Sequence, residues 1–397
     1  MQKEKLFTRN FVLTSLSTIA VFVSFYFLLV PLPVYIMKIG GSKSDIGFII
    51  GVFTISAVLL RPFIGREIDV RGRKNVLIAG LIVFLLSMLL YNYTTDVRSL
   101  LILRAVHGIG WGAATTASAT LIADIAPQSR RGEAMGVYGM SANFAMAIGP
   151  VLSVLLLYSS DFQMLFLVCS AIALVSLLLV LPISETKVVR PKTSLFSKEA
   201  FFPASLMFIV TLTYGSIVSF LPVFTQEQNI GPGMFLTGFA AKYNLPYSGT
   251  DLTAAIFLSV FAVTVLLIRT LAGKISDIKG RKFVIVPGMA VIISGLWTLS
   301  YAGSLSSFLI AAFLYGMGFG LLHPALMALL VDLVSEKGRA AAMSTFTAAF
   351  DLGIGTGSIV LGIISQSFSL SFMYFLSGLI VLAGMVWFMN KAEKKGI

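Results

Sequence analysis

A charged segment that occurs twice, each time between two long apolar runs, places the strongest constraint on the fold of this chain. Residues 61–74 (RPFIGREIDVRGRK) return 208 positions later as residues 269–282 (RTLAGKISDIKGRK). The identical pairs are Arg61/Arg269, Gly65/Gly273, Asp69/Asp277, Gly72/Gly280, Arg73/Arg281 and Lys74/Lys282. The duplication predicts two similar halves, and the apolar flanks predict a membrane protein, a combination that is typical of transporters.

The apolar runs are long enough to cross a lipid bilayer. Hydrophobic residues make up 57% of the chain and charged residues only 12%, whereas about 25% of the residues of a soluble domain are charged. No charged residue lies between Lys282 and Asp332, a run of 49 residues. Since one spanning helix needs roughly 20 apolar residues, this run holds two helices.

Twelve spanning helices account for the apolar runs. They lie near residues 10–37, 46–65, 75–95, 99–123, 134–158, 163–183, 200–225, 252–273, 283–302, 306–331, 340–364 and 369–390. We therefore expect an all-α membrane protein with twelve transmembrane helices in two pseudo-symmetric six-helix bundles. The predicted amino-terminal bundle (1–183) is joined to the carboxy-terminal bundle (200–397) by a polar linker (184–199).

The distribution of basic residues predicts the orientation. Of the 29 Lys and Arg residues, 24 lie at the termini or in the loops after even-numbered spans, and 4 lie in the opposite loops. Because basic loops stay on the cytoplasmic side, we expect both termini in the cytoplasm, beneath a prokaryotic inner membrane. The net charge of +12 then reflects topology and attraction to lipid headgroups rather than nucleic-acid binding.

The repeat extends well beyond the charged segment. The offset of 208 holds from span two to span five, while residues 32–34 match residues 221–223 at an offset of 189. The difference of 19 residues is an insertion within residues 226–251, on the predicted outer face. Its apolar middle, residues 234–241, is either a short interfacial helix or a variable surface loop.

Three motifs resemble those of the Major Facilitator Superfamily. Residues 65–74 resemble its signature between spans two and three. Arg104–Ala113 (RAVHGIGWGA) resembles the span-four signature of its proton-linked members, and residues 139–150 resemble the span-five signature of antiporters without its final glycine pair. The resemblance implies two bundles that alternate access to a central site, and a charged segment that locks one access state.

The gating candidates all belong to the charged segments or to the loops after spans four and ten. They are Gly65, Asp69, Gly72, Arg73, Lys74, Asp124, Arg131, Gly273, Asp277, Arg281, Asp332 and Arg339. Asp69 and Asp277 are expected to follow the ends of spans two and eight, where a carboxylate accepts hydrogen bonds from the N–H groups that start the next helix. The alternative is a basic, glycine-containing loop that only sets topology.

Polar residues inside the spans are the candidates for a substrate or proton site. A charge inside the bilayer costs roughly 2.5–3.5 kcal/mol, so Arg104 either lies in the transport path or is a structural arginine that reaches for the interface. Its repeat partner is Ala312, whereas that of Asp351 is the polar Asn143. The full set is Arg104, His107, Asp351, His323, Asn143, Tyr26, Trp111, Tyr214 and Tyr315.

These features favour a secondary active transporter, acting as a monomer, that exports a small amphipathic molecule in exchange for protons. A proton-coupled importer of a sugar or other metabolite is the alternative within transporters, and a non-transporting sensor or scaffold is the alternative outside them. An enzyme is not expected, because no catalytic pair lies inside a span. No phosphate-binding loop of the GxxxxGK[ST] type and no cysteine and histidine cluster occurs, so neither a cofactor nor a metal is expected.

Overall fold

The computed structural model describes residues 5–184, 197–231, 233, 249–335 and 338–395. All regular structure in these residues is helical. The described helices are α1 (Arg9–Phe27), α2 (Pro31–Lys38), α3 (Lys43–Arg71), α4 (Arg73–Leu90), α5 (Val97–Ile125), α6 (Arg131–Ser159), α7 (Phe162–Val180), α8 (Phe201–Glu227), α9 (Thr250–Lys279), α10 (Lys282–Ser300), α11 (Leu305–Leu333), α12 (Arg339–Ser367) and α13 (Leu370–Lys395).

Eleven of the described helical segments are long and apolar enough to cross a membrane. α1 and α2 together form one of them, over Arg9–Lys38. α5, which corresponds to the fourth predicted span, has 29 residues but is not among the eleven. Its glycine, serine and threonine residues and His107 lower its mean hydropathy, so its sequence is adapted to contact other helices more than lipid.

The charged segments are mostly helical, and the prediction that they form loops is wrong. α3 continues to Arg71 and α9 to Lys279, several residues past the predicted ends at residues 65 and 273. The breaks are Gly72 and Gly280, whose φ angles are 91° and 88°. Glycine adopts such angles without a steric penalty, which explains why both copies retain it there.

The first predicted span is two helices. α1 ends at Phe27 and α2 begins at Pro31, with Pro33 two residues later. A proline at the first position of a helix loses no hydrogen bond, because that N–H has no partner within the helix. The prolines therefore start α2 and prevent α1 from continuing through them.

The chain forms two compact units. The first comprises Met1–Leu29 and Val52–Lys192, and the second comprises Val30–Gly51 and Thr193–Ile397. The short segment Val30–Gly51 thus clusters with the carboxy-terminal helices, while the predicted division into two six-helix bundles stays a prediction. Most of the predicted linker (184–199) and the apolar middle of the insertion (234–241) lie outside the described residues.

Buried hydroxyl groups connect the helices within each unit. In the first unit, the hydroxyls of Ser17 on α1 and Ser176 on α7 lie 2.9 Å apart. In the second unit, Ser219 on α8 donates to Ser358 on α12 over 2.9 Å. Such bonds between helices satisfy polar groups that lipid cannot, and they hold the helices in register.

Candidate functional site

The candidate site of the first unit is built on α5. Asp96 caps the start of this helix by accepting hydrogen bonds from the N–H groups of Arg98 (2.9 Å) and Ser99 (3.0 Å). Further along the helix, Arg104 is 2% exposed and His107 is fully buried. Because residues three apart lie on one face of a helix, the two side chains meet.

A hydrogen-bonded chain links these side chains through Tyr91, which follows α4. Arg104 Nη1 donates to the Tyr91 hydroxyl over 3.2 Å. The same hydroxyl lies 3.0 Å from His107 Nδ1, and Arg104 Nη1 lies 3.5 Å from that nitrogen. Because the arginine donates to the tyrosine oxygen, the tyrosine proton is available for Nδ1, which then accepts as part of a neutral imidazole.

Aromatic rings enclose the charged end of this chain. The Arg104 guanidinium carbon lies 3.9 Å from the centroid of the Phe53 ring, a cation–π contact. The rings of Phe84 and Phe53 lie 4.5 Å and 5.1 Å from that of His107. Tyr91 and Phe53 were not predicted from the sequence. For Phe53 a signal existed, since the 208 offset pairs it with another phenylalanine, Phe261.

Three rings pack together next to this site, on three different helices. Phe25 of α1 and Phe53 of α3 are stacked with centroids 5.3 Å apart, and Phe25 lies 4.3 Å from Trp111 of α5. Tyr26, another predicted site residue, is 5.3 Å from Phe25. The predicted residues Tyr26 and Trp111 thus belong to one aromatic cluster.

The second unit contains the same arrangement of rings at the repeat-related positions. Tyr214 of α8 and Phe261 of α9 are stacked with centroids 5.4 Å apart. Phe319 of α11 lies 5.5 Å from Tyr214 and 5.7 Å from Phe261. The three-ring cluster is therefore a property of both halves, although only one of its rings in the second half, Tyr214, was predicted.

The polar residues near the second cluster are arranged differently from those of the first. The Tyr315 hydroxyl, at the position of His107 in the repeat, lies 3.0 Å from the Thr213 hydroxyl. His323 Nδ1 lies 3.3 Å from Arg269 Nη2, which belongs to the charged segment. The two histidines of the chain therefore each contact a guanidinium, and neither predicted histidine lies alone.

Asp351 and Asn143 occupy equivalent places in α12 and α6 and differ in chemistry. Asn143 Nδ2 donates to the carbonyl of Gly139, one turn earlier, over 3.3 Å. This bond within the helix supports the structural role considered for Asn143. Asp351 is half-buried in α12, with one carboxylate oxygen, Oδ2, enclosed by protein.

A buried ion pair anchors the first charged segment. Arg73 Nε donates to Asp124 Oδ2 over 2.8 Å, and the two side chains are only 3% and 7% exposed. Lys74 donates to the carbonyl of Leu181, just after α7, over 2.8 Å. Arg131 donates to the carbonyl of Ala123 over 3.1 Å, so it contacts the carboxyl end of α5.

The second charged segment has the same ion pair in a more exposed position. Arg281 contacts Asp332 (2.7 Å) and Asp277 (2.5 Å), whose side chains are 48% and 70% exposed. The hydrogen bond to Asp332, followed by the one to Asp277, raises the pKa of the Arg281 guanidinium above its ordinary value.

The prediction that the two aspartates follow the ends of spans two and eight is wrong. Positions 69 and 277 lie inside the last turns of α3 and α9, and Asp277 bonds the Arg281 side chain. The N-cap residues of α4 and α10 are Gly72 and Arg281, neither of which forms a side-chain cap. Gly65 and Gly273 lie within helices with open space around their α-carbons, and Arg339 is the first residue of α12.

Comparisons with known proteins agree with a transporter. A family model described as Major Facilitator Superfamily matches residues 14–245 and 233–396. The chain is 26% identical over 378 residues to multidrug resistance protein 2 of Bacillus subtilis, covering 93% of this chain and 92% of that protein. It is 26% identical over 385 residues to a multi-drug resistance efflux pump PmrA homolog of Lactococcus lactis subsp. lactis, covering 96% and 94%.

Solved structures show the same fold at lower identity. The crystal structure of the nucleoside transporter NupG matches with a TM-score of 0.74 and 15% identity, covering 96% of this chain and 99% of that one. At this identity the likeness extends to the arrangement of helices and not to the ligand.

Proposed function

Because the chain belongs to the Major Facilitator Superfamily, we propose that it is a secondary active transporter that exports a small amphipathic compound in exchange for protons. The proposal includes twelve spans in two six-helix bundles, with α1 and α2 forming the first span and α5 the fourth. It also places the protein in the inner membrane as a functional monomer with both termini in the cytoplasm.

The names of the relatives support efflux as the direction. Two relatives that match over more than nine-tenths of this chain are named for multidrug resistance or multidrug efflux. The structural likeness to a nucleoside transporter concerns the fold, so it does not favour a nucleoside as the cargo. A multidrug exporter recognises compounds by their combination of apolar and polar parts more than by one particular pattern of hydrogen bonds.

The observation that carries proton coupling is the buried chain Arg104–Tyr91–His107. With the neutral tautomer assigned above, His107 Nδ1 accepts a hydrogen bond, and it lies 3.5 Å from a guanidinium nitrogen. A proton added to Nδ1 turns it into a donor, so the bond from Tyr91 is lost and two positive charges face each other. The protonated and neutral forms therefore favour different side-chain arrangements, which is the property that a coupling site needs.

The aromatic clusters support the proposed class of cargo. Each half contains three closely packed, largely buried rings next to its polar residues: Phe25, Phe53 and Trp111 in the first half, and Tyr214, Phe261 and Phe319 in the second. Rings of this kind provide large apolar contact surfaces with little loss of side-chain entropy, and their faces attract cations. An amphipathic compound with an apolar body matches such surfaces better than a sugar does.

The membrane potential can supply the work. One proton crossing 100 mV yields roughly 2.3 kcal/mol. Since about 1.4 kcal/mol corresponds to a tenfold concentration ratio, one proton exchanged for an uncharged compound sustains a gradient of roughly 40-fold per 100 mV. This range is sufficient for an exporter that keeps a toxic compound at low internal concentration.

The test of this proposal is transport by purified protein in proteoliposomes under an imposed pH gradient, with dyes and amphipathic cations as trial compounds. We expect flux to follow the gradient in the wild type and to become indifferent to it in Arg104→Ala. Arg98→Ala is the matched control, because Arg98 lies two turns earlier on α5 and is exposed. Wild-type flux that ignores the gradient would refute proton coupling, and gradient-driven flux in Arg104→Ala would refute the role of Arg104.

Expression in a drug-sensitive bacterium separates export from the alternatives. An exporter raises tolerance to the compounds that it carries, whereas an importer raises the uptake of a labelled sugar or metabolite. A sensor or scaffold changes neither quantity, and its purified form moves no compound in proteoliposomes.

A further inference from the structure

We propose that a groove on the surface of the first unit binds one acyl chain of an anionic phospholipid, with the headgroup at Arg71. The groove has a volume of about 610 Å³ and lies between α3 and α4, with α5 beneath it. It is separate from the Arg104 site, and its occupant is a component of the membrane rather than the transported compound.

The walls of the groove are apolar and its floor is made of small residues. Leu60 and Phe63 of α3 face Val83 of α4, and Phe63 is 66% exposed. At the floor, a Cβ added to Gly80 would lie 2.6 Å from the Ala114 nitrogen and 3.0 Å from the Gly110 carbonyl oxygen. α4 and α5 thus approach closely, and small residues line the floor of the groove between the walls.

The groove is long enough for a lipid headgroup and the adjoining part of one acyl chain. Its lining on α3 runs from Leu60 to Arg71, twelve residues that cover about 16 Å of helix. The charged end, from Glu67 onward, lies outside the hydrocarbon core, so the apolar end covers only part of one leaflet, which is about 15 Å deep. The groove therefore accommodates the headgroup and the first part of the chain.

Polar and charged side chains line only one end of the groove. Glu67, Arg71 and Asn75 lie there, and the amide of Asn75 donates to the carbonyl of Arg71 over 2.8 Å. Arg71 Nε bonds Glu67 over 2.6 Å, but the arginine side chain remains 71% exposed and has further N–H donors. A molecule that fits this arrangement has an apolar tail and a polar head.

The charge at this end favours an anionic headgroup. Residues 66–74 contain four basic and two acidic side chains. Glu67 pairs with Arg71 and the buried Asp124 pairs with Arg73, so the segment together with Asp124 keeps a net charge of about +1. Basic pockets between helices at the cytoplasmic side of membrane proteins bind anionic lipid headgroups. A phosphodiester with a net negative charge is therefore a better match than a zwitterionic headgroup.

The repeat shows that the groove is not a by-product of the shared fold. At the offset of 208, Glu67 corresponds to Ile275, Asn75 to Phe283, and Ala113 of the floor to Leu321. The second half therefore has apolar side chains at the polar end of the groove and a bulky one on its floor. Leu321 Cβ would lie 3.3 Å from a Cβ added to Gly288, the counterpart of Gly80.

Lys279, which corresponds to Arg71 in the repeat, makes a different contact. Its Nζ lies 4.7 Å above the ring of Phe283 in the same unit. The first half thus has a groove with a basic, polar end. In the second half, Phe283 and Ile275 replace the polar side chains, and the lysine packs on the phenylalanine ring.

Photolabelling of the full-length protein tests the assignment. The purified protein is placed in phosphatidylcholine nanodiscs that contain a small fraction of phosphatidylglycerol with a diazirine in one acyl chain, and labelled peptides are identified by mass spectrometry. We expect labelling of residues 60–71 and 109–113 in excess of the repeat-related residues 268–279 and 317–321. The same diazirine on phosphatidylcholine should label the groove less.

Two variants separate the acyl chain from the headgroup. Ala113→Leu installs the residue of the second half and should remove most of the groove labelling, whereas Ala290→Leu adds the same bulk on an exposed face of α10 and should not. Arg71→Ala should reduce the preference for phosphatidylglycerol roughly fivefold, the effect of about one basic residue at an anionic surface. Arg98→Ala, an exposed arginine at the opposite end of α5, should leave that preference unchanged.

Three results would overturn the proposal. The first is equal labelling of the two halves in the wild type, which requires no variant and therefore no assumption about folding. The second is equal labelling by the two lipids. The third is displacement of the label by a transported compound but not by unlabelled phosphatidylglycerol, which would make the groove part of the substrate route.

Discussion

Replacing Arg73 with alanine should destabilise the protein far more than replacing Arg281, although the two residues are equivalent in the repeat. The ion pairs of Arg281 alone would suggest a large loss, because Arg281 contacts two carboxylates, Asp332 and Asp277. The difference in burial of the two ion pairs determines which variant loses more stability. The Arg73 and Asp124 side chains are 3% and 7% exposed, whereas those of Arg281 and Asp332 are 19% and 48% exposed.

The magnitudes follow from what each substitution leaves behind. Removal of Arg73 leaves the Asp124 carboxylate buried without its ion-pair partner at 2.8 Å, and the loss of one partner of a buried pair costs about 3–5 kcal/mol. The carboxylates near Arg281 remain in contact with water, so their loss of a partner costs about 0–1 kcal/mol. The expected difference between the two variants is therefore about 2–5 kcal/mol.

The free energy of unfolding in mixed detergent micelles, obtained from denaturant titrations of both variants and the wild type, measures this difference directly. The double variant Arg73→Met with Asp124→Leu should regain most of the lost stability, because two apolar side chains need no partner. Equal losses for Arg73→Ala and Arg281→Ala would refute the argument from burial. So would a double variant that is as unstable as Arg73→Ala.

Two further predictions concern α5 and its neighbours. Gly108→Ala should cost about 1–3 kcal/mol of unfolding free energy, because its Cβ would overlap the Phe53 carbonyl oxygen; Gly139→Ala, with open space at Cβ, should not destabilise the protein. Hydrogen bonds from Ser99, first from its backbone N–H, lower the pKa of Asp96. The Asp96 cap therefore stabilises the protein above the pKa of the unfolded chain and loses this effect as pH falls, so Asp96→Ala should lower the melting temperature at neutral pH and less in acid.

The positions of the long helices were predictable because lipid demands uninterrupted apolar helices. Each predicted span from the second to the twelfth has its helix, and α5 is recognisable from the periodic glycines and from Arg104 even though its mean hydropathy is low. The ends of α3 and α9 were not predictable from charge alone. A helix continues through charged residues once it leaves the bilayer, and it stops where the backbone needs a positive φ, at Gly72 and Gly280.

The candidate site was only partly predictable. Arg104 and His107 could be paired from their spacing on one helix, but Tyr91, which connects them, follows α4, and its counterpart in the repeat is the apolar Leu299. The aromatic clusters were visible only in part, because a single ring on a spanning helix is usually packing. Their repetition in both halves, with Phe53 matching Phe261, is the signal that distinguishes them.

Counter-movement of protons is the most direct test of the central claim that transport is proton-coupled export. Proteoliposomes that contain a trapped pH dye, with no imposed gradient, are loaded with a transported compound and diluted into compound-free buffer. Proton antiport predicts that the interior acidifies as the compound leaves, with no change in empty liposomes. An interior that becomes alkaline would indicate symport, and an unchanged internal pH during measured efflux of the compound would contradict proton coupling.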